Sequence, residues 1–486
     1  MDNISHNRCT ERERPGRRGL PECTPLWLLP LLLVGCAAPA PLTLERQAIT
    51  PSQWQADEAQ SDAALQEQPS WLEELKDPRL TELVTEALQQ NPELAAAREQ
   101  VEQSRLALRI SAAERWPALS LSLSDERTES GSNSLDLYTS LSWDADLWGR
   151  LRAEQRQAQL EYAAAQAQLR QQEETLAADI GRLWFQLQEA QLLLELYRER
   201  SANLQRDLQT IESGYRQGLY EALDLYLARN DVHAQQAELA AQTQTLAETR
   251  RALELLLGRY PAAALTSAAR LPWPGNPPAA QLPARMVERR PDLQASWLNL
   301  LAADQALAAA HRARFPDFTL SSSYGGSSES LSALVSSGNL AWTLGASLSQ
   351  TLFDAGSLKS AEEQQAARRR ELEQTYLADL YAAFAEVENA LSASAALRRQ
   401  YALYLEAEQN AIQAEQLAFE RYQRGLEEFT TVLEAQRRSL DAQTSVIQLR
   451  RALLENHIDL ALALGGRFAV AVQDQPPGDL SESSPR

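Results

Sequence analysis

Cysteine, lysine and glycine are all scarce in this chain of 486 residues, and each shortage removes a class of protein from consideration. The three cysteines, Cys9, Cys23 and Cys36, all lie in the first 36 positions, so the rest of the chain has neither a disulfide framework nor a cysteine-based zinc site. Lys76 and Lys359 are the only lysines, and 46 basic residues, almost all arginine, face 66 acidic ones for a net charge of -20. Nucleic-acid binding needs a basic patch to release phosphate counter-ions, and this balance argues against it. Mean hydropathy is -0.40. Beyond the amino-terminal region no run approaches the ~18 apolar residues of a membrane-spanning helix, which excludes a helical membrane protein. Glycine (19) and proline (22) are sparse; Ala, Leu, Gln, Glu and Arg take their place, a composition of long helices. Chemistry is thinly represented. His6, His233, His311 and His457 are dispersed, and there is no P-loop, G-x-S-x-G, H-E-x-x-H or dinucleotide fingerprint. The chain reads as no enzyme, with no cofactor and no metal site.

What is present begins with an address. Arg8, Arg12, Arg14, Arg17 and Arg18 precede the apolar stretch 26–34, which Pro30 interrupts, and Gly35-Cys36 follows. A basic region, a short apolar segment and small residues mark an export signal over 1–35. Leu33-Val34-Gly35-Cys36 is similar to a bacterial lipobox, which makes Cys36 the lipidated first residue of the mature protein; an ordinary signal with an incidental cysteine is the alternative.

The remainder is one unit written twice. Asn91-Pro92-Glu93-Leu94 returns as Arg290-Pro291-Asp292-Leu293, and Arg115-Trp116-Pro117 as Arg314-Phe315-Pro316, both 199 residues later. Ser142 to Gly149 matches Ser349 to Gly356, Tyr215 and Gly218 match Tyr422 and Gly425, and Gly258 matches Gly465, now 207 residues later. An offset that holds, rises once by 8 and holds again is a duplication with one insertion. The expected organisation is a linker over 36–75, repeat one over 76–258, a Pro-rich linker over 259–282, repeat two over 283–467 and a disordered acidic tail over 468–486.

Within each copy the hydrophobic period changes. Residues 79–114 read as one helix stopped by Pro117. Strict alternation follows: Leu119, Leu121 and Leu123 against Ser120, Ser122 and Ser124, then Leu135, Leu137, Leu141 and Trp143 against Asp136, Tyr138, Ser140 and Ser142. Period two makes each copy a hairpin, over 117–144 and 316–353, with the inserted residues in a Ser- and Gly-rich loop over 325–338. From about 150 to 213 the spacing turns to 4,3, a coiled-coil seam through Leu176, Ile180, Leu183, Leu187, Ala190, Leu194, Tyr197, Ser201, Leu204, Leu208, Ile211 and Tyr215. The second seam, Ala383 to Tyr404, is weaker. A helix of that length is on the order of 95 Å long, far beyond what a globular core requires.

A serine face opposite an apolar face suits a barrel strand between lumen and lipid, and equally a soluble sheet packed on helices. Trp116, Trp143, Phe315 and Trp342 near strand ends suit an aromatic girdle. Four strands close no barrel alone, since about eight is the smallest number, and lipid tolerates no open edge.

Over roughly residues 70–467 the sequence resembles the TolC-type outer-membrane efflux proteins, in particular their lipid-anchored branch. The resemblance rests on the duplicated unit, Asn-Pro-Glu-Leu, Trp-Asp-x-Asp-Leu-Trp-Gly at 143–149, Leu-Phe-Asp-Ala-Gly at 352–356 and Leu-Gly-Gly at 464–466. It implies a mainly α protein with a transmembrane β-barrel portion, a homotrimer of three chains forming a 12-stranded β-barrel continued by a 12-helix α-barrel. It further implies an exit duct in the outer membrane, anchored by lipid and reaching into the periplasm, joined by a periplasmic adaptor to an inner-membrane pump of RND type. A periplasmic coiled-coil lipoprotein with a structural or adaptor role is the rival reading.

The resemblance also assigns candidate residues. The turns carrying Tyr215, Gly218 and Leu219, and Tyr422, Gly425 and Leu426, are the expected periplasmic tips that dock on the adaptor; a sharp helix-to-helix turn explains the glycines by itself. Leu433-Glu434-Ala435-Gln436-Arg437 is similar to the Leu-Asp-Ala-Gln-Arg pattern of the closed gate. Glu434 takes the acid's place and Arg437 the arginine's, while Thr430 stands where relatives often carry a bulky apolar plug. A solvated helix face is the plain alternative for these charges.

Overall fold

The computed structural model describes residues 50–51, 53–56, 70–127, 129, 133–275, 283–334, 338 and 340–466. The expected signal, Cys36 and the tail lie outside these residues. The chain divides into two units after Thr43, and every described residue belongs to the second, Leu44–Arg486.

Repeat one opens with α1 (Trp71–Leu75), α2 (Pro78–Gln90) and α3 (Pro92–Ala113). The single helix expected over 79–114 is therefore broken, and the break is local chemistry. The residue before a proline is pushed out of the helical region, and Asn91 sits at φ -65, ψ 123. Its side chain accepts from Leu94 N at 2.9 Å, capping α3, and its Nδ2 donates to Leu256 O at 2.9 Å. In repeat two, α6 (Pro283–Arg289) and α7 (Pro291–Arg312) part in the same way at Arg290, at φ -69, ψ 119. Arg290 is buried and ion-paired to Asp292 and Glu386, both at 2.6 Å.

The strands β1 (Ala118–Arg127), β2 (Asn133–Asp144), β3 (Asp317–Ser328) and β4 (Ala341–Ser349) form one antiparallel sheet in the order β1-β2-β3-β4. Residues directly opposite share a face. The register places Leu119 by Leu141, Leu123 by Leu137, Trp143 by Leu320, Phe318 by Leu348 and Tyr324 by Trp342 on one side. The other side carries Ser120 by Ser140, Ser142 by Ser321 and Ser323 by Thr343. The apolar side is bare: Leu119, Leu121 and Leu344 are each more than 70% exposed. The loop expected over 325–338 is shorter than read. β3 continues through Gly325 and Gly326, paired with Tyr138 and Leu137, and a turn of helix, α8 (Leu331–Leu334), follows. A Cβ on Gly325 would lie 2.0 Å from Leu137 O, so the glycine is what lets the strand pass that close.

Two 67-residue helices, α4 (Arg150–Arg216) and α9 (Ser357–Gln423), leave the sheet. Each is on the order of 100 Å long. The Asp of each repeated motif caps the helix: Asp146 accepts from Leu151 N and Arg152 N, and Asp354 from Gly356 N and Leu358 N. Such a carboxylate satisfies backbone N–H groups that the first helical turn leaves without partners. The return helices are α5 (Ala222–Leu256) and α10 (Phe429–Ala463).

Near the sheet the wall runs α3, α4, α7, α9; toward the far end it runs α5, α4, α10, α9. Both arcs end on faces with no helix beyond them among the described residues. The α4 seam is buried at Ile180, Leu187, Leu194, Ser201, Leu204 and Ile211, half-buried at Leu176, Leu183, Tyr197 and Leu208, and exposed at Tyr215. The α9 seam is buried from Ala383 to Ser394, after which Leu403, Tyr404 and Leu405 stand exposed. The main core gathers Leu80, Leu83, Ile180, Phe185, Leu187, Leu253 and Ile458, from α2, α4, α5 and α10.

Candidate functional site

The helix tips are built alike by the backbone. Gly218 and Gly425 have φ of +75 and +72, and the open space around each shows that conformation, not crowding, requires glycine there. Leu219 N donates to Gly214 O at 2.9 Å and Gly218 N to Tyr215 O at 3.0 Å; Leu426 N donates to Arg421 O and Gly425 N to Tyr422 O in the same pattern. This paired closure of the last helical turn normally brings the following residue onto the helix. Here Leu219 and Leu426 remain 70% and 62% exposed.

The two tyrosines are not equivalent. Tyr215 is 43% exposed, whereas Tyr422 is 5% exposed and belongs to the core of the tip. Tyr422, expected in a docking tip, lies inside that tip: its ring is packed between Tyr220, at 4.9 Å, and Phe429, at 5.2 Å. Its Oη donates to Asp224 Oδ2 at 2.9 Å. Burial, and then the neighbouring carboxylate, pushes the phenol's pKa up, so it stays a donor. Ile211, Leu225, Ala228 and Val432 close the cluster. Sequence reasoning missed Tyr220 and Asp224. The signal was available in the divergence of the copies, since Glu427 and Thr431 occupy the matching positions.

Thr430, Glu434 and Arg437 recur at helical spacing along α10, which puts them on one face. They line a groove of about 480 Å³ with Arg200, Leu204, Leu227, Asp231 and Glu238. Glu434 is held within its own helix by two arginines: Arg437 at 2.8 Å and Arg438 at 2.7 Å. Hydrogen bonds from Arg437 and then Arg438 keep its carboxyl below the usual carboxylate range. Arg437 also lies 3.5 Å from Asp441. Arg438 is thus a member of this cluster that the motif alone did not single out. Thr430 Oγ1 donates to Glu428 Oε2 at 3.3 Å. Arg200, in the groove lining, pairs with Glu415 at 2.7 Å, and Gln436 Nε2 donates to Asp207 Oδ2 at 2.9 Å, joining α4 to α9 and α10. Burial raises Asp231 above the usual carboxylate range, with Arg200 opposing. The arrangement offers alternating charge along a groove whose floor is largely leucine, with Leu204, Leu227, Leu433 and Leu440 in its lining, and no nucleophile paired with a base. Among the described residues no group of three or more His, Cys, Asp or Glu is placed to hold a metal ion.

The family described as outer membrane efflux protein matches residues 83–259 and 282–466. The toluene efflux pump outer membrane protein TtgI of Pseudomonas putida is 30% identical over 416 residues, 83% of this chain and 88% of that one. The probable outer membrane lipoprotein SilC of Salmonella typhimurium is 27% identical over 454 residues, 90% of this chain and 96% of that one. A crystal structure of a membrane protein from Pseudomonas aeruginosa superposes with a TM-score of 0.78 at 26% identity, covering 87% of this chain and 99% of that one.

Proposed function

This chain belongs to the outer membrane efflux protein family, and on that premise we propose that three copies of it close into one duct. The protein is the outer-membrane exit channel of an efflux system, a helical barrel with a β portion that extends into the periplasm. Three 4-stranded sheets make a twelve-stranded barrel, and the helical arcs beneath them make the tunnel. The observation that carries this reading is the sheet itself: a bare apolar face, an opposite face rich in serine, and outer strands β1 and β4 that are each paired along one edge only among the described residues. In water such a sheet would stack or aggregate; in lipid it must close.

The remaining assignments follow from placement. Leu219 and Leu426 are the contacts for a periplasmic adaptor, which connects the duct to an inner-membrane pump of RND type. Tyr215 borders the first contact, and Gly218 and Gly425 shape both. Thr430, Glu434 and Arg437 line the periplasmic gate, and Cys36 carries the lipid anchor. The duct does no chemistry and uses no cofactor; cargo moves on energy supplied by the pump. Outer-membrane fractionation with gel migration before and after heating is the test. A heat-dissociable multimer in the outer-membrane fraction is expected, and a monomer in the periplasm would overturn the reading.

A further inference from the structure

The duplication lets one repeat serve as a reference for the other, and the two differ in charge at the corner before α3 and α7. In repeat two the corner residue, Arg290, is buried and its guanidinium lies between two carboxylates. Nε and Nη2 donate to Asp292 at 3.0 and 2.6 Å, while Nη1 donates to Glu386 at 2.6 Å and to Ala463 O at 3.3 Å. The offsets of 199 and 207 residues carry these four positions onto Asn91, Glu93, Asp179 and Leu256 of repeat one.

The frame around the two corners is the same. Gly258 lies against Gln90 and Gly465 against Arg289 and Arg290, at φ of +72 and +68. Asn91 Nδ2 donates to Leu256 O at 2.9 Å, the counterpart of the bond from Arg290 to Ala463 O. Both acids recur, as Glu93 and Asp179. The difference is that the corner side chain of repeat one carries no guanidinium.

Asn91, Glu93, Asp179 and Leu256 line a cavity of about 330 Å³ between α3 and α4, bordered by the end of α5. Leu94, Ala97 and Leu176 supply its apolar wall. Arg182 does not take the place of Arg290. It reaches Asp179 Oδ1 at 2.5 Å and Asp459 at 2.6 Å from outside that lining, and its match in repeat two is Asn389. Asp179 Oδ2 and both oxygens of Glu93 have no protein donor among the described residues. Two acids on neighbouring helices would by themselves be an ordinary surface. What distinguishes this pair is that its counterpart in the same chain holds a guanidinium.

We propose that the cavity binds an alkylguanidinium cation, with Glu93 and Asp179 taking its planar group as Asp292 and Glu386 take that of Arg290. The alkyl chain lies along Leu94, Ala97 and Leu176. A guanidinium presents parallel N–H donors that engage two carboxylate oxygens at once, which an ammonium of equal charge does not. The site therefore prefers the planar cation. The comparison is between two repeats of one chain, so it stands apart from closure of the duct and from docking at the tips.

The test is calorimetric titration of n-butylguanidinium into the full-length protein in mild detergent. Saturable binding of one cation per chain is expected. n-Butylammonium, with the same charge and chain, should bind about tenfold more weakly or worse, the worth of a charge-assisted hydrogen bond. Glu93→Gln should weaken binding of n-butylguanidinium by a similar factor, and because Glu93 is exposed and unpaired the fold is not at risk. Asn91→Arg should abolish binding, since the longer side chain reaches the acids from within, as Arg290 does. Repeat two starts α7 without a side-chain cap, so arginine at the corner is compatible with the fold; if that variant does not fold, Glu93→Gln decides. Displacement of n-butylguanidinium by acetylarginine amide would assign the natural source to an arginine side chain, and no displacement to a free solute. Absence of saturable binding, equal affinity for the two butyl cations, or undiminished binding by Glu93→Gln would each overturn the proposal.

Discussion

Tyr422, at the end of α9, donates its hydroxyl to Asp224, in the first turn of α5, at 2.9 Å. That bond ties the hairpin of repeat two to the hairpin of repeat one at the point farthest from the sheet. The tyrosine lies under Tyr220 and against Phe429, so the two tips act as one packed object in which Leu219 and Leu426 remain outside.

Tyr422→Phe keeps the ring stack and removes only the bond to Asp224. A buried hydrogen bond contributes roughly 1 kcal/mol, and the carboxylate left behind adds to the loss. The variant should retain its level in the outer membrane and show a larger conductance in planar bilayers, because the tip is freed without being unpacked. Conductance equal to the parent's would show that the bond only stabilises the fold.

Leu219→Asp with Leu426→Asp should abolish efflux without lowering the amount of protein. Both leucines are already exposed, so a charge there costs the fold little, while an apolar docking contact is lost. Drug or solvent resistance at the parental level would remove the docking assignment.

Glu434→Ala leaves Arg437 and Arg438 without their shared carboxylate. The groove becomes more positive and its side chains less constrained. Single-channel recordings should show higher conductance and weaker preference for cations; unchanged traces would mean that these charges are a solvated helix face.

Glu189 supplies a pH test. It lies 2.7 Å from Arg451, which also pairs with Glu455, at the contact of α4 with α10. Burial raises its pKa from 4.5 to about 7, with the Arg451 charge opposing. The folded state thus holds the proton more tightly than the unfolded chain. The associated stability is complete below about pH 4.5 and is lost as pH rises through about 7. By proton linkage the total is on the order of 3 kcal/mol. Glu189→Gln should therefore gain melting temperature over the parent at pH 8 compared with pH 5. A constant difference across that range would show that the carboxyl is not buried in the assembled duct.

The sequence carried the duplication, the hairpins, the length of the helices and the position of the tip turns. These depend on short-range chemistry: alternation of Leu and Ser, 4,3 spacing, and glycine where a helix must reverse. The break at Asn91 was equally local, since Asn-Pro favours a cap over continuation, yet the helical pattern on both sides concealed it. The extension of β3 past Gly325 was not legible, because it depends on Tyr138 in another strand. Within the tip, the spacing of Thr430, Glu434 and Arg437 announced a common face. The different fates of Tyr215 and Tyr422 did not show, because the repeat makes them look alike.

By itself the sequence determined that two copies of one unit build this chain, and it supplied the two offsets that relate them. Only the tertiary structure decided which edges stay open, which tyrosine is buried and which carboxylate each arginine holds. The first kind of fact follows from periodicity within a segment. The second depends on residues such as Tyr422 and Asp224, nearly two hundred positions apart, which only packing brings within a hydrogen bond of each other.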